Sequence, residues 1–436
     1  MQRFERYSGY KDSGVDWIGE IPEGWRSMRL SSLGNFSKGG GFSKSDLTEQ
    51  GVSAVLYGDI YTRYDFFVNQ AVRKISEKTS LNSVMVHQGD LLLTGSGETA
   101  EDIGKCVAYK GSEPAFAGGD VIIFKQKKQD SNYLSYLLNS HHIREEKAKT
   151  AKGEIIVHTY GSKLKNIFIP LPPLPEQTAI ATFLDKKTTK IDTAIAQKEQ
   201  MISLLKERKQ ILIQNAVTKG IDPAAKMKDS GVDWIGEIPV GWDILSNKVL
   251  FQESKAGGND TLPLLSVSLH SGISSGELGE EENIRGKVKI EDKSSYKLVR
   301  PHYIAYNMMR AWQGAIGAVA VDGMVSPAYV VAIPNEILIN SVYFEFQYRT
   351  SSFIQQMNRF SKGITDFRKR LYWNEFKQLN TIVPPLGVQE EIVDFIETQS
   401  AKIDTSITLQ QQQITKLKEY KSILIDHAVT GKIKVA

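Results

Sequence analysis

The run Arg368, Lys369, Arg370, Leu371, Tyr372, Trp373, with Asp366 and Phe367 just before it, interleaves basic and aromatic side chains. Cationic groups beside an aromatic ring suit contact with phosphate oxygens, although a solvated basic face is the other reading of the same residues. Arg310, Trp312 and Gln313, and in the first half of the chain Arg63, Tyr64, His158 and Tyr160, carry donors and acceptors that can pair with base edges, Arg with guanine and Gln with adenine. Other chemistries lack their residues. The glycine clusters Gly39-Gly40-Gly41, Gly95 to Gly97 and Gly118-Gly119 do not fit the P-loop spacing and read as strand turns. Cys106 is the single cysteine, which excludes an internal disulfide and a cysteine-based zinc cluster. The adjacent His141 and His142 read as a helix-surface pair, so no metal site is expected.

Those candidates must be positioned by more than one domain, because 436 residues exceed one ordinary domain and allow two or three. Hydrophobic residues at 41% and charged residues at 24% match a soluble chain, and no apolar run reaches the roughly 18 residues of a membrane span. The amino terminus MQRFERYSGYKDSG has no apolar segment behind its charges, which predicts no signal peptide and a cytoplasmic location. A net charge of +4 and a pI near 8.7 are too mildly basic to establish a nucleic-acid partner by themselves.

The chain repeats itself. Lys11 to Trp25 reads KDSGVDWIGEIPEGW and Lys228 to Trp242 reads KDSGVDWIGEIPVGW, differing at one position. A second repeated block closes each half, from Pro172 and from Pro384; its matched positions, such as Ile191-Asp192 and Ile403-Asp404, lie 212 residues apart. Within the first block, Leu184, Ile191, Lys198, Leu205 and Leu212 alternate with Thr188, Ile195, Ile202, Lys209 and Ala216 at spacings of four and three, a heptad seam. The second gives Ile396, Ile403, Gln410, Leu417 and Leu424 with Ser400, Ile407, Ile414, Lys421 and Ala428, with polar interruptions at the same places. Each block predicts a helix that starts after Pro-Pro, the first stopping near Gly220, and about 40 residues make a rod of roughly 60 Å. A stripe of this kind has to be buried, either against another chain or against its own copy. Pairing within the chain is favoured by the matched seams and the short connection around Ile221-Asp222-Pro223, and an antiparallel pair would place two modules at opposite ends with a pseudo-two-fold relation. Acidic residues on these helices, Asp185, Asp192, Asp404 and Glu419, read as solvated or partner-facing charges. The signature tryptophans Trp17, Trp25, Trp234 and Trp242 read as packing against the base of each module.

The intervening modules have diverged almost completely, yet the order of features persists. The first runs through a strand at Asp90 to Leu93, then Ile103-Gly104, Val107-Ala108 and Gly111, and a strand at Asp120 to Phe124. The second has Tyr303 to Tyr306, then Ile316-Gly317, Val319-Ala320 and Gly323, and a strand at Tyr329 to Ile333. A capped amphipathic stretch follows in each, Asn132 to Leu138 and Ser341 to Tyr348, and then Gly153 or Gly363. Shared order with different residues predicts one α+β fold bearing two different surfaces.

The doubled DWIGEIP signature, the Pro-Pro-Leu openings with Gln177 and Gln389 five residues in, Lys-Ile-Asp at 190–192 and 402–404, and the RAWQGAIG and SPAYVV segments together resemble the specificity subunits of type I restriction-modification systems over nearly the full chain. The resemblance implies an α+β chain with target recognition domains at 1–169 and 228–383 and spacer helices at 170–227 and 384–436, the helices paired as an antiparallel coiled coil. It implies that each recognition domain reads one half of a split, asymmetric sequence on double-stranded DNA, the half-sites lying roughly 34 Å apart. The implied partners are two modification subunits, which methylate adenine using S-adenosylmethionine, and restriction subunits, which use ATP and Mg²⁺; no cofactor or metal falls to this chain. One departure stands out: the first module has TGSGETAEDIG where the second has RAWQGAIG.

Three other readings fare worse. A stand-alone adenine methyltransferase would need Asn-Pro-Pro or Asp-Pro-Pro before an aromatic residue, whereas both Pro-Pro pairs here sit in LPPL and VPPL. A nuclease would want a Pro-Asp dipeptide leading its magnesium-binding carboxylates, and the sequence contains none. A coiled-coil scaffold would explain the helices but not two diverged modules under matching signatures.

Overall fold

The computed structural model describes residues 4–258, 261–269, 272–275, 295–363 and 368–435. The chain divides into two compact units, Met1–Lys198 with Gln411–Ala436, and Glu199–Gln410.

In the first unit the sequence runs LLLT, CVAY and VIIF, apolar at nearly every position, and such strands must be covered on both faces. They are. Gly34–Lys38, Val121–Gln126, Leu91–Thr94, Cys106–Tyr109 and Phe67–Val68 form one sheet in that order, antiparallel except for the last pair. The two-residue period of a strand sends Leu92, Val107, Val121 and Ile123 to a core shared with Val55, Val86, Ala115 and Ala117 of a second five-stranded sheet. Leu91, Leu93, Cys106, Ala108, Ile122 and Phe124 go to the opposite core, with the helix Ser131–Leu138 and the long helices.

The second unit repeats the plan. Phe251–Ser254, Tyr329–Pro334, Ile304–Asn307 and Ile316–Ala318 form a four-stranded antiparallel sheet. Ile304, Tyr306, Val330 and Ala332 face the helices, while Ala305 and Val331 face a smaller core.

The two long helices span Leu174–Lys219 and Leu386–Val429. In the first unit Asp192 pairs with Lys421 at 2.7 Å and Lys198 bonds Gln413, so partner numbers fall as residue numbers rise and the helices run antiparallel. In the second unit Lys209 pairs with Asp404 at 2.7 Å, the same pair displaced by one repeat. The seam residues Leu184, Ile191, Ile195, Ile202, Ile396, Ile403 and Leu424 are buried, and Leu205, Leu212, Ile407, Ile414 and Leu417 are half-buried. Asp192 and Asp404 stay exposed while pairing with the seam lysines of the facing helix, and Asp185 accepts the Tyr136 hydroxyl at 2.7 Å.

Each module is fastened to the helices in the same way. Asp130 and Asn340 cap the module helices Ser131–Leu138 and Ser341–Tyr348, accepting backbone N–H groups at 2.9–3.2 Å. The backbone N–H of each cap donates to a buried glutamine of a long helix, Asp130 to Gln177 at 3.0 Å and Asn340 to Gln389 at 2.8 Å. The carboxamide nitrogens return to Pro172 O at 2.9 Å and Pro384 O at 2.8 Å, which explains the glutamine five residues after each Pro-Pro pair begins. Tyr133 donates to Val429 O at 3.2 Å and Tyr343 to Val217 O at 3.0 Å, each reaching the last turn of a long helix. Trp25 and Trp242 lie buried over the same helix ends, where a β-carbon on Gly431 or Gly220 would come within 3.3 Å of the indole.

Lys147 of the first module is enclosed at 1% exposure; its ammonium donates to Gly104 O at 2.5 Å, and burial pushes it down to about 8. The folded chain therefore gives up this proton at lower pH than the unfolded chain. Stability should rise as pH climbs from about 8 to 10.5, and Lys147→Met should flatten that rise in urea midpoints taken across the window. Gln177→Ala and Gln389→Ala should each strand a buried N–H and carbonyl and cost about 1–3 kcal/mol, by similar amounts in the two units, read as lowered urea midpoints.

Candidate nucleic-acid interface

Each module ends in the same hairpin, opened by a Lys-Gly pair. Lys152 bridges to His158 through bonds of 3.0 and 2.8 Å, and Lys362 bridges to Arg370 through 2.9 and 2.8 Å. Gly153 and Gly363 stand at φ +122° and +149°, and a β-carbon on either would collide with the backbone oxygen of Ile156 or Arg368. Two residues past the bridge, Tyr160 and Tyr372 cap the one-turn helices Gly161–Leu164 and Trp373–Phe376, which lead into the strands Phe168–Leu171 and Asn380–Val383 before Pro-Pro.

In the first module the hairpin strand Val157–His158 pairs with Ser96–Gly97, and His158 Nδ1 lies 2.8 Å from Ser96 Oγ. Tyr160 is exposed beside a cleft of about 210 Å³ whose rim includes His158, Lys38 and Asp120, the last two 3.5 Å apart. Arg63 and Tyr64 have their partners among residues 59–73, not in the hairpin. Arg63 Nε is 3.1 Å from the Asp59 carboxylate, which also holds Arg73, and the Tyr64 hydroxyl accepts Val72 N–H at 2.9 Å. Burial raises the Tyr64 phenol above its ordinary pKa.

In the second module the structure joins two segments that are 55 residues or more apart in sequence. Leu371 N–H donates to Met308 O at 2.9 Å, tying the hairpin to the turn that carries Arg310, Trp312 and Gln313. Trp312 Nε1 donates to Met309 O at 2.9 Å, and the Lys369 ammonium stands 5.3 Å above the indole while bonding Asn358 Oδ1 at 2.8 Å. Arg370 Nη1 donates to Lys369 O at 2.8 Å. Arg310, Gln313 and Arg368 are exposed; Asp366 and Phe367 lie outside the described residues. The corresponding tie in the first module is Thr159 N–H to Gly95 O at 2.9 Å, so TGSGETAEDIG and RAWQGAIG occupy one structural place despite their sequences.

Sequence reasoning passed over Ile155 and Ile156, which sit at the tip of the first hairpin and are 89% and 54% exposed. The signal was present in the repeated Lys-Gly at 152–153 and 362–363. Among the described residues no group of three or more His, Cys, Asp or Glu is arranged to hold a metal ion, and no helix is long and apolar enough to cross a membrane.

A family model for the type I restriction modification DNA specificity domain matches residues 22–203. The chain is 24% identical over 434 residues, 96% of each sequence, to the putative type I restriction enzyme MjaX specificity subunit of Methanocaldococcus jannaschii. It is 24% identical over 455 residues, 97% of this chain and 89% of the relative, to the EcoBI specificity subunit of Escherichia coli. Its fold is similar to that of a chain solved in a study of complex assembly and conformational transition of the type I R-M system, with TM-score 0.66, 13% identity and coverage of 94% and 98%. The HsdS subunit from Thermoanaerobacter tengcongensis is also similar, with TM-score 0.54, 14% identity and coverage of 95% and 98%. A specificity-domain match over residues 22–203, similarity to type I restriction enzyme specificity subunits along nearly the whole chain and a fold like that of HsdS together make this chain similar to the type I restriction-modification specificity subunits.

Proposed function

We propose that this chain reads a split, asymmetric sequence on double-stranded DNA, one half through each module, and so directs adenine methylation and restriction by partner subunits. The observation that carries this reading is a common frame with unlike surfaces. The sheet, the capped helix, the buried glutamine and the Lys-Gly hairpin recur in both modules, while the exposed residues on the hairpin and its neighbouring turn differ. Two modules of one fold with different exposed donors suit two half-sites of different sequence. In this reading Arg310, Gln313, His158 and Tyr160 face base edges, and Arg368, Lys369 and Arg370 sit on the phosphate backbone beside Trp312. Arg63 and Tyr64 keep a lesser place, because their polar groups are engaged within their own loop. Two modification subunits would bring S-adenosylmethionine, and restriction subunits ATP and Mg²⁺, in a cytoplasmic complex.

Mapping adenine methylation by single-molecule sequencing, in cells expressing this chain with its modification subunit, should give a two-part asymmetric motif. Exchange of the first module should change one half and exchange of the second the other; identical methylation by active modification subunit with and without the chain would move the scaffold reading forward. Arg310→Ala should relax a single base position in the second half-site, at a cost of about 1–3 kcal/mol. Arg368→Ala should instead weaken binding across all sequences and lower the salt slope by about one, measured by fluorescence anisotropy of labelled duplexes over a salt series.

A further inference from the structure

The tip of the first hairpin carries a feature that its frame does not require. Beyond Gly153 its tip carries Glu154, Ile155 and Ile156, and both isoleucines project into solvent, at 89% and 54% exposure. A single exposed apolar side chain on a surface needs no explanation, but an adjacent pair at the end of a pinned hairpin presents a contiguous apolar surface. The pinning is extensive. Besides the Lys152–His158 bridge, His158 is held by Ser96 at 2.8 Å, Thr159 Oγ1 lies 2.5 Å from Thr150 Oγ1, and Thr159 N–H donates to Gly95 O at 2.9 Å. Gly153, in a backbone conformation that a residue with a β-carbon would strain, sets the turn. The tip is thus ordered before any partner arrives, and docking it costs little conformational entropy.

What it meets is indicated by its surroundings. Exposed Lys152, the hydroxyl of Tyr160, His158 and Lys38, the last 3.5 Å from Asp120, flank the hairpin, Glu154 stands beside its apolar pair, and the matching hairpin of the second module carries Arg368, Lys369 and Arg370. Cationic and hydrogen-bonding groups around an apolar tip match the mouth of a DNA groove. In the major groove the one apolar feature that distinguishes a base is the thymine C5-methyl group, which aliphatic side chains contact.

We propose that Ile155 and Ile156 are specificity-determining residues that make apolar contact with a thymine methyl group in the half-site read by the first module. The proposal rests on the DNA-reading function given above and adds to it the element and the base. Contact with one methyl group contributes about a fourfold difference in affinity.

The test uses the full chain assembled with its modification subunit, as wild type and as Ile155→Ser/Ile156→Ser. Anisotropy titrations compare duplexes carrying the mapped target with duplexes in which each thymine of the first half-site is replaced in turn by deoxyuridine. At one position the replacement should weaken wild-type binding about fourfold and leave the double variant unchanged. Methylation maps of the variant should lose discrimination at that position and keep the second half of the motif, which reports an intact complex. Equal sensitivity of both proteins to every deoxyuridine, with an unaltered motif, would overturn the assignment while the DNA-reading function stands, provided whole-module exchange still changes the first half. If module exchange changes neither half, the reading itself fails. Loss of binding to both half-sites, or of assembly with the modification subunit, would assign the isoleucines to folding or subunit docking and overturn the proposal.

Discussion

Two long helices with an apolar stripe cannot stand in water alone, and the covering of that stripe governs the rest of the molecule. Each is covered by its counterpart in antiparallel orientation and, toward the module, by the module's helix and sheet. Apolar heptads tolerate sliding by one repeat, so register needs a polar device. Here the seam lysines supply it: Lys421 meets Asp192 and Lys209 meets Asp404, each lysine one repeat from the other and each aspartate in the Lys-Ile-Asp triplet. Lys421 is 15% exposed, lies 3.8 Å from Asp65 and stands 5.6 Å from the Phe66 ring, so its charge is partly withdrawn from water. A shift of one heptad would leave that ammonium without its carboxylate, which is costly in such surroundings.

On this register the modules are attached by main-chain groups. Buried glutamines receive the N–H of each module's helix cap, and buried tyrosines reach the carbonyls at the ends of the long helices. Bonds to backbone place few demands on the module's other side chains. The outward loops can therefore diverge without disturbing the attachment, which is the physical basis for one frame supporting two surfaces. TGSGETAEDIG and RAWQGAIG show how far the divergence goes: the same hydrogen bond from the hairpin strand anchors both, while the first offers hydroxyls and carboxylates and the second a guanidinium, an indole and a carboxamide.

Much of this was legible in the linear chain. Periodicity is a local property, so the helices, their Pro-Pro starts and their seam could be read directly, and the tandem signatures revealed the duplication. The strand positions in each module also followed from short apolar runs between glycines. That those runs are covered on both faces came only with the structure, in which Leu91, Leu92 and Leu93 alternate between two cores.

What the sequence by itself determined is the α+β class, the repeat, the heptad helices and the absence of any thiol cluster. Only the tertiary structure decided which charges meet, because contact between residues some 200 positions apart depends on register and not on spacing. It paired the exposed Asp192 and Asp404 with seam lysines of the facing helix and made Gln177 and Gln389, read from the sequence as family marks, into buried anchors. It also brought Trp312 under Lys369, occupied Arg63 and Tyr64 within their own loop, and left Ile155 and Ile156 in solvent. Composition and periodicity report how a side chain partitions on its own element; exposure and partnership are settled when elements pack, and that packing exists only in the folded chain.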